Sequence, residues 1–288
     1  MSSHRARRAR RALAVFPALI LLALTACAHE PRHALGSPSA GGAPSSSAAS
    51  SPGAGTTPTS GPPSPPPAPK TLPWYLAQVP DFPPAPPPQV VRPTPGPTVP
   101  LWFRVPTDQK VAFITIDDGG LARPPAVIDF IREAHIPVTM FLNSPAAAAH
   151  TDYFKQIEAA GGVVENHTIT HTSLPGRSYA YQKHEICGAA DKLEQLFGKR
   201  PTLFRPPFGE RDTNTLKAAR DCGMIAALHW RETVDKGKVR YQTPTKLVKP
   251  GEILLMHFRP ALMDDLLAAL RAIHKSGLTP ALLEDYIR

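Results

Sequence analysis

From residue 101 onward, short apolar runs alternate with stretches whose apolar positions recur every three to four residues. Residues 111–116, 138–142, 163–166, 202–205, 224–229 and 253–257 are apolar runs bounded by polar residues or turn formers, and they predict strands. A short strand at 101–105 precedes them. Helices are predicted at 124–134, 153–160, 181–197, 214–221 and 262–274. In the first, Val127, Ile128 and Ile131 share one face and proline stands near the start; Gly161-Gly162 and Gly198 stop the next two. A last short strand and helix follow Gly277. The alternation predicts parallel βα units, arranged either as a barrel or as an open doubly wound sheet. The chemically capable side chains gather where the apolar strands end, and that rim is where such folds carry their sites.

Residues 1–100 lack this pattern, and 22 of the 36 prolines fall between residues 28 and 100. The expected division is a lipoprotein signal peptide at 1–26, a disordered Pro/Ser/Ala/Gly-rich linker at 27–100 and a folded domain at 101–288. A chain so poor in large apolar residues cannot offset its ordering entropy, and proline runs such as 62–67 favour extended polyproline II. Its one aromatic cluster, Trp74, Tyr75 and Phe82, either docks on the folded domain or shares the disorder. The leader is basic at Arg5, Arg7, Arg8, Arg10 and Arg11 and apolar over 12–24, a run too short to span a bilayer comfortably. It ends Leu24-Thr25-Ala26-Cys27, which resembles the lipobox of bacterial lipoproteins, with Cys27 as the lipidated residue; the alternative is an ordinary signal peptide and a secreted product. The protein is therefore expected to be exported and held by lipid on the outer face of the cell membrane, facing the wall. The formal charge is +9, but the five leader arginines account for much of it, and what remains is too weak a bias for a nucleic-acid partner. A monomer is expected.

The chemistry centres on Val111 to Gly119, which reads V-A-F-I-T-I-D-D-G: a buried strand ending in two carboxylates and glycines that permit a tight turn. Successive strand residues point to opposite sides, so Asp117 and Asp118 can take different roles. Alone, the pattern also suits a strand end and an Asx turn. His167 and His171, four apart after the strand at 163–166, change the balance. With Asp118 they supply two imidazoles and a carboxylate, an open set for Zn2+ or, as alternatives, Co2+, Ni2+ or Mn2+. Such an ion lowers the pKa of a bound water towards about 7. Asp117 is adjacent as a base, and His257, at the end of I-L-L-M-H, can serve as an acid. Arg205 is suited to hold the base carboxylate by a bidentate contact. A backbone N–H around Phe208 and Gly209 can support a tetrahedral oxyanion.

These residues resemble the motifs of the polysaccharide deacetylase family, the NodB-homology domains of carbohydrate esterase family 4. Thr115-Ile116-Asp117-Asp118-Gly119, Asn166-His167-Thr168-Ile169-Thr170-His171, Arg205-Pro206-Pro207-Phe208-Gly209 and Ile253-Leu254-Leu255-Met256-His257 follow the family's motifs in order, over roughly residues 105–288. The resemblance implies an α/β fold of the distorted (β/α) barrel type and hydrolysis of an acetyl amide on an amino sugar. It implies Asp117 as base, Asp118, His167 and His171 as metal ligands, Arg205 as orienter of the base and His257 as acid. The substrate class it implies is an acetylated polysaccharide such as peptidoglycan or a chitin-like glycan, deacetylated at nitrogen or at oxygen.

Two positions depart from the pattern. The family's fourth motif, an Asp followed shortly by Trp, is absent from Leu228-His229-Trp230-Arg231-Glu232-Thr233-Val234-Asp235, where Trp230, Glu232 or Asp235 would have to substitute. Phe258 stands where the family usually has Asp. The alternative reading is a catalytically weak or inactive surface-anchored protein of the same fold that binds glycan or metal. His135, His150, His184, His229 and His274 match no motif. Cys187 and Cys222 either form a disulfide after export or remain buried free thiols.

Overall fold

The computed structural model describes residues 65–288; the predicted leader, Cys27 and the chain before residue 65 lie outside the described residues. Among the described residues the strands are β1 (Leu101–Trp102), β2 (Val111–Asp118), β3 (Val138–Leu142), β4 (Val163–Asn166), β5 (Leu203–Phe204), β6 (Ala226–Leu228), β7 (Glu232–Asp235), β8 (Lys238–Tyr241), β9 (Ile253–His257) and β10 (Thr279–Ala281). The helices are α1 (Leu72–Leu76), α2 (Ala126–Glu133), α3 (Ser144–Ala149), α4 (Thr151–Ala159), α5 (Tyr179–Phe197), α6 (Thr213–Asp221), α7 (Leu262–Lys275) and α8 (Leu283–Tyr286). The strands form one sheet in the order β1-β6-β5-β4-β3-β2-β9-β7-β8, with β10 beside β2. All these pairings are parallel except the β7–β8 hairpin.

The sheet closes on itself through one broken strand. β6 and β7 belong to a single extended stretch interrupted at 229–231: β6 pairs with β5, and β7 with β9. The Arg231 N–H donates to the Ile253 carbonyl at 3.0 Å and continues that seam. The result is the distorted barrel expected from the motifs, not an open doubly wound sheet. Along β2 the two-residue period sorts the core. Ala112, Ile114 and Ile116 pack with the helices, in one cluster with Val127, Ile131 and Leu266. Val111 and Phe113 face the barrel interior with Phe141, Leu203, Leu228 and Ile253. Thr115 and Asp117 continue that inner row towards the rim.

The folded part begins earlier than Pro100. Residues 72–99 lie against the barrel rather than in a linker. Tyr75 is buried, with its ring 5.6 Å from that of Phe130 and its hydroxyl donating to Asp264 Oδ1 at 2.7 Å. Lys70 reaches the other oxygen of Asp264 at 3.0 Å. Val91 bridges to Ile287, and Val99 is buried. A proline-rich segment has less chain entropy to lose on docking, so a few anchors of this kind suffice. Tyr75→Phe keeps the ring and removes the hydroxyl. It is expected to lower unfolding stability by about 1 kcal/mol in urea titrations, the ordinary worth of such a bond.

Candidate active site

The rim at the carboxyl ends of β2, β4, β5 and β9 holds the predicted chemistry. Asp117 lies in register with His257 of β9. In a regular strand Asp118 would point to the opposite face from Asp117. It does not: its backbone takes the left-handed conformation, φ 78°, and both carboxylates line one cavity of about 390 Å³. His167, His171, Phe208, Trp230 and His257 line the same cavity. Gly119 follows at φ 87°, where a Cβ would come within 2.8 Å of the Phe154 ring.

Asp118, His167 and His171 form a group whose ligand atoms all lie within 4.8 Å of one another. Asp118 Oδ1 is 3.6 Å from His167 Nε2 and 3.4 Å from His171 Nε2, and it is buried without a hydrogen-bond partner. The Nδ1 of His167 sits 2.7 Å from the Arg205 carbonyl. A proton on Nδ1 donating to that carbonyl leaves the Nε2 lone pair facing Asp118, the tautomer a cation requires. An orphaned buried carboxylate oxygen beside two imidazole lone pairs fits a divalent cation. Burial would raise the Asp118 carboxyl, but His167 first, then His257 and His171, hold it below the ordinary range. Burial and the neighbouring His167 push the His171 imidazole down, favouring its neutral form.

The loop that carries the two histidines is held from behind by Glu185, Asn143 and Asn166, of which the motifs name only the last. Glu185, buried on α5, accepts the N–H groups of Ile169 and Thr170 at 3.2 and 2.9 Å. The Asn166 side chain accepts the Thr168 N–H and donates to the Ile186 carbonyl, while Asn143 donates to the His167 carbonyl at 2.6 Å. Thr168 and His171 both have positive φ, 68° and 55°. Phe208, at 59°, is a fourth such residue at the site, and its ring stands exposed against His171.

Arg205 is completely buried beneath Asp117. Its contact is single, not the bidentate one expected. Nη1 donates to Asp117 Oδ1 at 2.6 Å and to Thr115 Oγ1 at 2.8 Å. Nε and Nη2 turn to the carbonyls of Leu228 and His229, which the broken strand leaves unpaired at that point. The Phe141 ring lies 4.2 Å from the guanidinium. One oxygen of Asp117 is thus pinned, and Oδ2 is left towards His167 Nε2 at 3.6 Å. The oxyanion donor expected at Phe208 and Gly209 narrows to Phe208, because the Gly209 N–H is engaged by the Pro206 carbonyl at 3.0 Å. Gly209 serves by being small: its φ is 72°, and a Cβ there would lie 2.2 Å from His229 Nε2.

The three candidates for the missing fourth motif separate. Trp230 lines the cavity, stacked at 4.0 Å on His229, which in turn lies 4.3 Å from Phe103. Burial, then the nearby arginines, push His229 down to about 4, so this unassigned histidine is a neutral spacer. Asp235 acts at one remove, holding Arg259 of the cavity wall at 3.2 Å. Glu232 does not reach the site; it turns to Glu252 and is buried. Burial and then Glu252 push its carboxyl up to about 9, from an ordinary 4.5. A carboxyl held protonated in the folded state contributes stability that is complete below about pH 4.5 and lost as pH rises through about 9. Glu232→Gln is expected to flatten that loss, so thermal unfolding at pH 9 should shift upward relative to the unaltered protein while the shift at pH 5 is small.

Cys187 on α5 and Cys222 at the end of α6 are joined as a disulfide, with Cα atoms 4.9 Å apart. The bond ties together the two helices behind β5.

A sequence profile described as polysaccharide deacetylase matches residues 104–227. An uncharacterized protein of Streptomyces coelicolor, SCO4760, is 39% identical over 193 residues, covering 65% of this chain and 77% of the relative. A peptidoglycan-N-acetylglucosamine deacetylase of Bacillus cereus is 29% identical over 163 residues, covering 55% of this chain and 59% of its own length. The crystal structure of a family 4 carbohydrate esterase from Streptomyces lividans superposes with a TM-score of 0.53 at 20% identity, covering 62% of this chain and 95% of that one, which is a likeness of fold. Profile, relatives and fold agree with the cluster of acids and histidines on the barrel rim: the chain belongs to the polysaccharide deacetylase family.

Proposed function

We propose that the enzyme removes acetyl groups from the amino sugars of a cell-wall glycan such as peptidoglycan, using a divalent cation held by Asp118, His167 and His171. The observation that carries this reading is the unpartnered, buried Oδ1 of Asp118 facing two imidazole nitrogens, with a pinned carboxylate beside it. Zn2+ is the first candidate, and when bound it would supply Lewis acidity, making a water acidic and polarising the acetyl carbonyl. Asp117 accepts the proton of the attacking water at Oδ2, the oxygen that Arg205 leaves free. Arg205 holds that carboxylate in place. The Phe208 N–H donates to the carbonyl oxygen as negative charge develops there. His257, across β2 from the metal-binding loop, gives a proton to the departing amine nitrogen. Asp117 and His257 then exchange protons with solvent, which restores both. The Trp230 ring forms one wall for the sugar.

Export with lipidation at Cys27 is part of the same proposal: a domain placed beneath the wall meets its polymer there. The test is acetate release by the full-length protein from N-acetylglucosamine oligomers and from purified peptidoglycan, alongside metal content by emission spectrometry. One ion per chain, with acetate release abolished by chelation and restored by Zn2+, is expected. Asp118→Ala should lose the ion. Protein that retains one ion after Asp118→Ala, or that releases acetate without one, would sink the metal assignment.

A further inference from the structure

We propose that Arg259 is a specificity residue: it selects acetylated amino sugars that carry a carboxylate near the acetamido group over neutral ones. The identity of the reaction rests on the deacetylase reading above; the binding preference does not.

Arg259 lies on the wall of the active-site cavity. Arg259 stands in the bend that follows β9: His257 faces the cavity, Phe258 is fully buried, and Arg259 lines the cavity again. Two residues of chain reach at most about 7 Å, close to the width of a sugar ring. A group bound by Arg259 is therefore a neighbour of the bond that His257 serves, not part of it.

The guanidinium is held but not saturated. Nη1 donates to Asp235 Oδ1 at 3.2 Å, and no other protein acceptor takes its N–H groups among the described residues. Asp235 is itself shared: Arg240 Nη2 lies 3.9 Å from its other oxygen. One carboxylate is shared between two guanidiniums, and the buried Asp265 is the other acid close to Arg259. The site's own acids are engaged elsewhere, Asp117 with Arg205 and Asp118 facing the imidazoles. Beyond Trp230 and His229 the cations continue, with Arg231 4.9 Å and Arg211 5.8 Å from the Phe103 ring centre. A planar guanidinium with free donors, fixed at its base, matches the two oxygens of a carboxylate. A neutral glycan gives it nothing equivalent to bind, and an exposed ion pair with Asp235 contributes little to stability by itself.

The probes are an oligosaccharide containing peptide-free N-acetylmuramic acid, whose lactyl carboxylate adjoins the acetamido group, and the methyl ester of that carboxylate. At low salt the full-length Zn2+-loaded enzyme is expected to prefer the acid over its ester by about tenfold or more in kcat/KM, the usual worth of a charge-assisted bond. Arg259→Gln should bring the ratio close to one. Arg259→Lys, which keeps the charge but not the fork, should leave an intermediate ratio, and Asp235→Asn should reduce it through looser placement. Should Arg259→Gln fail to fold, the Arg259→Lys and Asp235→Asn ratios decide the matter. A wild-type ratio near one, or a ratio that survives Arg259→Gln, would overturn the proposal. If no substrate releases acetate, calorimetric titration with the same two ligands reads the same ratio in Kd. A preference there that Arg259→Gln removes upholds the role of Arg259 while the deacetylase reading fails; no preference overturns both.

Discussion

Asp117→Asn is expected to lower kcat for acetate release by about a thousandfold, within the range that a positioned base contributes. The substitution is nearly isosteric, so the fold should survive, and the ion should stay, because Asp117 is not among the three clustered ligands. What disappears is the one cavity carboxylate, among the described residues, that a buried guanidinium holds. An amide oxygen at the same position cannot take a proton from water at neutral pH. The measurement is kcat at saturating substrate, with metal content and thermal unfolding in parallel. A fall of less than tenfold, in protein that keeps its ion, would assign the base elsewhere.

Arg205→Met is expected to cost about 3–5 kcal/mol of stability, the range found when one partner of a buried ion pair is removed. Arg205 is fully buried and Asp117 almost so, and the guanidinium also satisfies Thr115 and two carbonyls of the broken strand. Removing it strands a carboxylate and takes the donor from the Leu228 and His229 carbonyls. Urea unfolding would read the loss. Activity should fall too, since Asp117 loses the contact that orients it. The double variant Asp117→Asn/Arg205→Met should lose less stability than the two single losses added, because each alone leaves its partner uncompensated. Simple additivity would mean that the two side chains do not depend on each other.

Much of this site is legible in the chain because strand ends are. An apolar run that stops at Asp117-Asp118-Gly119, and another that stops at His257, place their polar residues on a rim before any coordinates are known. The strands at β3, β4 and β9 run over the expected residues for the same reason: they are buried on both faces. The β7–β8 hairpin is less visible. β8 alternates exposed and half-buried residues, so it has no apolar run. Its one signal is Lys236-Gly237, both at positive φ, the two-residue turn that joins twisted strands. The docked segment at 72–99 is hidden by composition, because proline dominates it and its buried anchors, Tyr75 and Val99, stand far apart. Arg259 is hidden differently. The motif and β9 both end at His257, and Arg259 reaches the same wall from the bend that follows. Glu185, and the part that Asn166 plays, are missed because both act on the backbone of the histidine loop, from a helix and from a strand's last residue.

Four residues without glycine's freedom, Asp118, Thr168, His171 and Phe208, adopt left-handed backbone conformations, and all four stand around one cavity. Each such conformation costs on the order of 1–3 kcal/mol. A selection for thermal tolerance alone would find relief at these positions, most directly by replacing them with glycine. Two of the four are proposed to hold the ion, and the other two shape the histidine loop and the floor of the cavity. The cheapest gains in robustness therefore lie where they erode turnover. A hardier form of this enzyme is better sought outside the cavity lining, at the Glu232–Glu252 pair, where stability can rise without loosening the grip on the substrate.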